Sequence, residues 1–419
     1  MKKWIGAIVL LIVICVAVPA MAVDVQMNGN VLVNGGGVTA NLFTGDGSSL
    51  TNLPGGNIAA GSVITAGTVN TTSIANYAIT PGKIGFYQNH VAIVATSGGD
   101  YTDPSTAMTN YSAWCPAPSA THPCLLKIMP GVYTVGSSVV MQAYIDIEGS
   151  GEKTTKITSA LSSSAWPPDT ATLTGASNAE LRFLTVENTG AGSYTTAILN
   201  TSQSPSMLHV TATASGGTGG NYGVYNYASS PTMTNVTATV SGGTGGNYGV
   251  YNYFISSPAM TNMTATASGG TSSYGVFNYS TSSPAMTNVT ATASGGTSNN
   301  IGVSNNTSSP TMTNVTATAS GGADNIGVSN STSSPTMTNV TASGSGGGTY
   351  NYGVYNDTSG TVTINNSVIK GTTNSIDNGA GVTTLVGNTK LDGVTSNAGT
   401  LTCAGVYNAT YAFYPSTCP

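Results

Sequence analysis

The stretch Ser230-Pro231-Thr232-Met233-Thr234-Asn235-Val236-Thr237-Ala238-Thr239 decides how this chain folds, because it recurs. Six near-copies place their methionines at Met207, Met233, Met260, Met286, Met312 and Met337, at steps of 26, 27, 26, 26 and 25 residues. A second phrase, Gly-Val-x-Asn, keeps the same beat at Asn226, Asn252, Asn278, Asn305, Asn330 and Asn356. Two short β-type runs, separated by Gly-Gly and Ser-Ser-Pro turns at a constant period, describe one coil of a parallel β-solenoid stacked on the next. The expected fold class is therefore all-β: a right-handed parallel β-helix with coils of about 26 residues, preceded by a small fibrous β module.

Within one coil, Asn235 suits a left-handed corner, a conformation Asn tolerates better than most residues. Side chains alternate along a strand, so Met233, Val236, Ala238 and Val240 face inward while Thr237 and Thr239 face solvent. Ordering backbone costs roughly 1–2 kcal/mol per residue, so no coil folds alone and stacking must supply the remainder. The repeated Asn226, Asn252, Asn278, Asn305, Asn330 and Asn356 are placed to form an inward amide ladder. Sequons such as Asn235-Val-Thr and Asn288-Val-Thr follow from a corner Asn preceding a strand Thr, which makes glycosylation the weaker reading. Abundant Gly, Ser, Thr and Asn raise disorder as an alternative, but the regular return of Met and Val argues against it.

Residues 1–22 read as a secretory signal peptide: Lys2 and Lys3, a short apolar run from Ile5 to Val18, then Ala20-Met21-Ala22. Beyond it stand Cys115, Cys124, Cys403 and Cys418, an even number with each pair close in sequence, which predicts two local disulfides in an oxidising compartment. The expected localisation is secreted, extracellular or cell-surface, with no transmembrane segment. Charged residues make up 5% of the chain, 14 acidic against 9 basic, which excludes a nucleic-acid footprint by sign and scarcity. His90, His122 and His209 are too dispersed for a metal site, the repeated Met residues read as core filler, and no cofactor is implied.

Residues 23–88 form an N-terminal attachment module, with Phe43-Thr-Gly-Asp-Gly-Ser-Ser-Leu-Thr-Asn-Leu53 followed by Ile64, Val69, Ile74, Ile79 and Ile84 at a spacing of five. This passage resembles stalk segments of phage tail fibres and bacterial surface proteins, which often trimerise, so a homotrimer through the stalk is implied. Residues 89–185 read as a cap and first coils, 186–370 as repeat coils, and 371–419 as terminal coils with a disulfide cap. The landmarks Gly99-Asp100-Tyr101-Thr102, Ile128-Met-Pro-Gly131-Val-Tyr133 and Ile147-Glu-Gly149-Ser-Gly151-Glu-Lys-Thr-Thr-Lys-Ile157 resemble the opening coils of pectin-lyase-like right-handed β-helices, most closely pectin methylesterases. Those enzymes use a pair of Asp, an Arg and Gln on the following coils. Here Asn200-Thr-Ser-Gln203-Ser-Pro-Ser-Met-Leu-His209 matches only Gln203 in type, and no Arg follows Arg182, so the activity does not carry over.

Between Asn188 and Asn356 the ionisable residues besides tyrosines are His209 and Asp324. Polysaccharide hydrolysis or elimination needs positioned carboxylates, a base or a bound cation. The best remaining catalytic candidates are Asp146, Glu148, Glu180, Arg182 and Glu187, for which an exposed ion-pair ladder is the favoured reading. Two outward arrays remain as binding candidates. The first is Thr211/Thr213, Thr237/Thr239, Thr264/Thr266, Thr290/Thr292 and Thr316/Thr318, similar to the flat Thr face of β-solenoid ice-binding proteins, although Thr also suits any exposed strand. The second is Tyr225, Tyr251, Phe277 and Tyr355, an aromatic column that binds sugar rings or simply stabilises the stack. The expectation is a non-catalytic surface or adhesion protein contacting a glycan or cell-surface polymer. A divergent polysaccharide esterase or lyase and an ice-binding protein are the alternatives.

Overall fold

A computed structural model describes residues 90–419; the segments 1–22 and 23–88 lie outside the described residues. The repeat builds the coil as its pattern demands. In one coil, Thr232–Thr234 runs to a corner at Asn235, Thr237–Ser241 follows, a glycine turn leads to Gly246–Tyr253, and the Ser-Pro segment returns the chain to the next coil. Each strand pairs in parallel with its counterpart one period later, as in Met233↔Met260, Thr237↔Thr264 and Tyr251↔Phe277. Three parallel sheets result: one bearing the methionines, one the threonine pairs and one the aromatic residues.

The interior is a single core running from Ala92 to Val406. Met233, Val236, Ala238 and Val240 are fully buried in it, as are Val289 and Val315 one above another, while Thr237 and Thr239 face outward. The corner residues Asn235, Asn262, Asn288, Asn314 and Asn339 all take φ of 52–56°, the left-handed region that a short amide side chain tolerates. Their side chains join from coil to coil: Asn288 donates to Asn262, Asn314 to Asn288 and Asn339 to Asn314 at 2.7–2.9 Å.

The inward ladder forms. Asn200 donates to Asn226, and each Asn donates in turn to the next through Asn252, Asn278, Asn305, Asn330 and Asn356, at 2.8–2.9 Å. Asn356 ends the run by donating to the Thr384 hydroxyl. A buried amide has donors and an acceptor to satisfy, and the repeat satisfies them along the axis with identical neighbours.

Two departures occur at the ends. Pro104–Thr109 and Tyr111–Trp114 are short helices within the cap and first coils expected over residues 89–185; Asp103 caps the first by accepting from the backbone of Ser105 and Thr106, with Pro104 opening the helix. Near the C-terminus the repeat loosens, with register shifts between Lys370 and Ile376 and an antiparallel pair formed by Val406–Asn408 and Phe413–Tyr414. Disulfides Cys115–Cys124 and Cys403–Cys418 form as the spacing predicts, with Cα atoms 6.1 and 5.2 Å apart.

Candidate functional site

The phrase Tyr-Gly-Val-Tyr-Asn-Tyr governs the aromatic sheet through its glycine. A Cβ on Gly223 would lie 2.6 Å from the Gly249 carbonyl and 3.1 Å from the Ala238 methyl, so this position faces the interior and admits only Gly. Val224 next to it is also in the core. Two consecutive inward residues break the alternation, and Tyr222, Tyr225 and Tyr227 therefore emerge on one outer side. Stacking then makes three columns: Tyr222, Tyr248, Tyr274; Tyr225, Tyr251, Phe277; and Tyr227, Tyr253, Tyr279. Ring centroids along these columns lie 5.0–5.4 Å apart.

This corrects the sequence expectation in one respect. Tyr225 and Tyr251 lie outside the coil interior but are buried, at 0% and 4% exposure, under neighbouring rings and Trp166. Trp166 sits within 5.4–6.2 Å of Tyr194, Tyr222, Tyr225, Tyr251 and Tyr253. The exposed rings along these coils are instead Trp166, Phe254, Tyr279 and Tyr350, with Tyr407, Tyr411 and Phe413 exposed in the terminal coils. Burial, reinforced by adjacent tyrosines, holds the hydroxyls of Tyr222, Tyr225, Tyr248 and Tyr251 well above the ordinary tyrosine range. The outer columns at Tyr222 and Tyr227 were legible in the same hexapeptide; Trp166 lies in a non-repeating loop and carried no signal of its own.

The aromatic columns are interrupted for two coils. Tyr274 and Phe277 are followed by Ile301 and Ser304, then Ile326 and Ser329, before Tyr352 and Tyr355 resume. The interruption leaves a recess of about 560 Å³. Asp324, one coil before Tyr352 and Tyr355, and Asp377, one coil after them, both line it. Burial and the Asp377 carboxylate push the Tyr352 hydroxyl up to about 12, and burial with Asp357, Asp377 and Asp324 raises that of Tyr355.

The candidate catalytic cluster assembles only in part. Glu148 and Arg182 pair on adjacent coils, and Arg182 donates to Glu148 at 2.8 Å, to Asp146 at 3.2 Å and to Glu180. Lys127 adds a second cation, reaching Glu148 at 2.7 Å, a partner one coil earlier that the sequence reading did not include. Glu187 stands apart, beyond the corner at Phe183, where it pairs with Lys156 at 3.2 Å. The hydrogen bond from Lys127 holds Glu148 below the usual carboxylate range against the opposing effect of burial, with Arg182 adding to it. Burial works against the Arg182 charge, yet its hydrogen bonds to Glu148, Glu180 and Asp146 keep it above the ordinary guanidinium value. A carboxylate held ionised between two cations can neither donate a proton nor act as a strong base at neutral pH. Gln203 lies on the surface and accepts from the Ser177 backbone.

The threonine pairs stand in two in-register columns, Thr211, Thr237, Thr264, Thr290, Thr316 and Thr213, Thr239, Thr266, Thr292, Thr318, partly or fully exposed. Among the described residues, no His, Cys, Asp and Glu side chains group to hold a metal ion, and no helix is long and apolar enough to cross a membrane.

Solved structures match this chain at low sequence identity. A protein of Geobacillus virus E2, ORF18, matches with a TM-score of 0.49 and 11% identity over 81% of this chain, which spans 65% of the virus protein. Carrot pectin methylesterase matches with a TM-score of 0.35 and 12% identity over 74% of this chain and 83% of its own. The A-module of Azotobacter vinelandii mannuronan C-5 epimerase AlgE6 matches with a TM-score of 0.33 and 12% identity over 73% of this chain and 89% of its own. No protein-family model and no curated protein sequence matches the chain. The parallel β-helix itself rests on the strand register, coil by coil.

Proposed function

We propose that this chain is an exported, non-catalytic β-helix that holds a glycan or cell-surface polymer along its aromatic sheet. The observation that carries the reading is the set of three aromatic columns on one outer side, edged by the accessible rings of Trp166, Phe254 and Tyr279. Flat rings with polar tips suit a partner that presents both C–H faces and hydroxyls. Export is supported by the signal-type sequence at residues 1–22 and by the two disulfides, which persist in oxidising compartments. Against the esterase or lyase alternative stands the engagement of Asp146, Glu148 and Glu180 in ion pairs with Arg182, with Lys127 as a second partner of Glu148.

A glycan array on the mature protein tests the reading, with the Trp166→Ala/Phe254→Ala/Tyr279→Ala variant beside it. Binding to neutral glycans that falls in the variant supports it; binding unchanged by the loss of all three rings overturns it. The in-register threonine columns favour a second reading, contact with an ordered surface such as ice. Thermal hysteresis that vanishes in Thr264→Lys/Thr290→Lys/Thr316→Lys would establish that face in place of the aromatic one.

A further inference from the structure

The recess between the two aromatic segments differs in chemistry from the face around it. Its floor is apolar, made by Ile301 and Ile326, which pack with Tyr352 and are flanked by Tyr274 and Tyr355. One wall is the pair Tyr352 and Tyr355, whose rings stack at 5.6 Å and 11°. Asp324 and Asp377 stand on either side of that wall, and no Lys or Arg lines the recess. Among the described residues, neither Asp324 nor Asp377 takes part in an ion pair, whereas the acids of the Arg182 cluster all do. In a repeat region nearly free of charge, the one acidic residue between Asn188 and Asn356 faces this recess.

From this arrangement we propose that the recess binds an amino sugar with a free, charged amine within a polymeric glycan. The inference rests on the glycan reading above and names the sugar class. A volume of about 560 Å³ falls within the usual range for small-molecule sites, roughly 300–1,000 Å³. Tyr352 is buried behind its neighbour, so the part-exposed ring of Tyr355 and the exposed ring of Tyr350, both lining the recess, supply the aromatic faces against which a pyranose can lie. An ammonium on that ring gains attraction from the ring faces and a charge-assisted hydrogen bond from a flanking carboxylate. Ser329 supplies a hydroxyl partner for the sugar's own hydroxyls. A neutral or N-acetylated sugar keeps the stacking and loses the charge term, and an anionic sugar meets two carboxylates.

The experiment is calorimetric titration of the mature full chain with a glucosamine hexamer, its fully N-acetylated counterpart, a neutral glucose hexamer and hexalysine. The glucosamine hexamer should bind at least about tenfold more tightly than the acetylated and neutral hexamers, the scale of one charge-assisted contact. That preference should shrink as ionic strength rises from about 0.01 M to about 0.15 M, which shortens the Debye length from about 30 Å to about 8 Å. Asp324→Asn/Asp377→Asn should erase the preference, and Tyr355→Ala should weaken glucosamine binding. Equal affinity for free and acetylated hexamers, a preference that survives the double Asn variant, or hexalysine binding as tightly as the glucosamine hexamer would each overturn the inference. Neutral-glycan binding that persists in the double Asn variant leaves the aromatic-face reading intact, so the two fail separately.

Discussion

Removing one rung of the inward amide ladder tests the stacking argument most directly. Asn278 accepts from Asn252 at 2.8 Å and donates to Asn305 at 2.9 Å, and all three side chains are buried. Asn278→Ala strands the Asn252 amide donor and the Asn305 carbonyl. Each orphaned buried group costs about 1–3 kcal/mol, so the substitution should destabilise by about 2–6 kcal/mol. An exposed control on the same coil, Thr264→Ala, should stay within about 0.5 kcal/mol. Because each coil contacts only its neighbours, the loss should be local. Hydrogen exchange should show reduced protection centred on the strands holding Asn252, Asn278 and Asn305, with the coils near Leu126 unaffected, and urea unfolding followed by circular dichroism gives the magnitude. The double variant Asn252→Ala/Asn278→Ala again leaves two orphaned ends, now on Asn226 and Asn305, so its cost should fall short of the sum of the singles. A single variant within about 0.5 kcal/mol of the parent, or strictly additive singles, would refute the claim that the ladder holds the coils together.

Three further outcomes follow from the geometry. Cys403→Ser/Cys418→Ser opens a loop of sequence separation 15, for which a loss of about 3 kcal/mol is expected, read as early proteolysis confined to the last coils. Burial keeps Tyr222, Tyr225, Tyr248 and Tyr251 neutral in the folded state; their contribution is full below the unfolded tyrosine value of about 10 and is lost as pH rises above it, so denaturation midpoints should fall between about pH 9 and about pH 11 while phenolate absorbance lags that of the unfolded chain. Glu148 lies below its ordinary value, so its contribution is full above the unfolded value of about 4.3 and is lost as pH falls through the lowered folded one; Glu148→Gln should flatten the acid limb of the stability profile, and neither it nor the parent should de-esterify pectin, a result that turnover abolished by Asp146→Asn would reverse.

In a solenoid, the nearest neighbours of a residue are its own counterparts one period away, so a pattern along the chain is already a pattern in space. That is why the period of the methionines, the left-handed corner at Asn235, the inward ladder through Asn278 and the outward threonine pairs could be read from the sequence by itself. The two disulfides were legible for a related reason, since both close short loops. Contacts between repeating and non-repeating parts have no such translation rule, and the tertiary structure alone decided them. Trp166 reaches the rings of Tyr222 and Tyr251 from a loop outside the repeat, which turned an expected outer column into a buried one. Lys127 joins Arg182 around Glu148 from a different coil, while Glu187 turns away at the Phe183 corner. The acidic recess likewise exists only because Asp324 and Asp377, far apart in sequence and in different columns, are carried by successive coils to either side of Tyr352 and Tyr355.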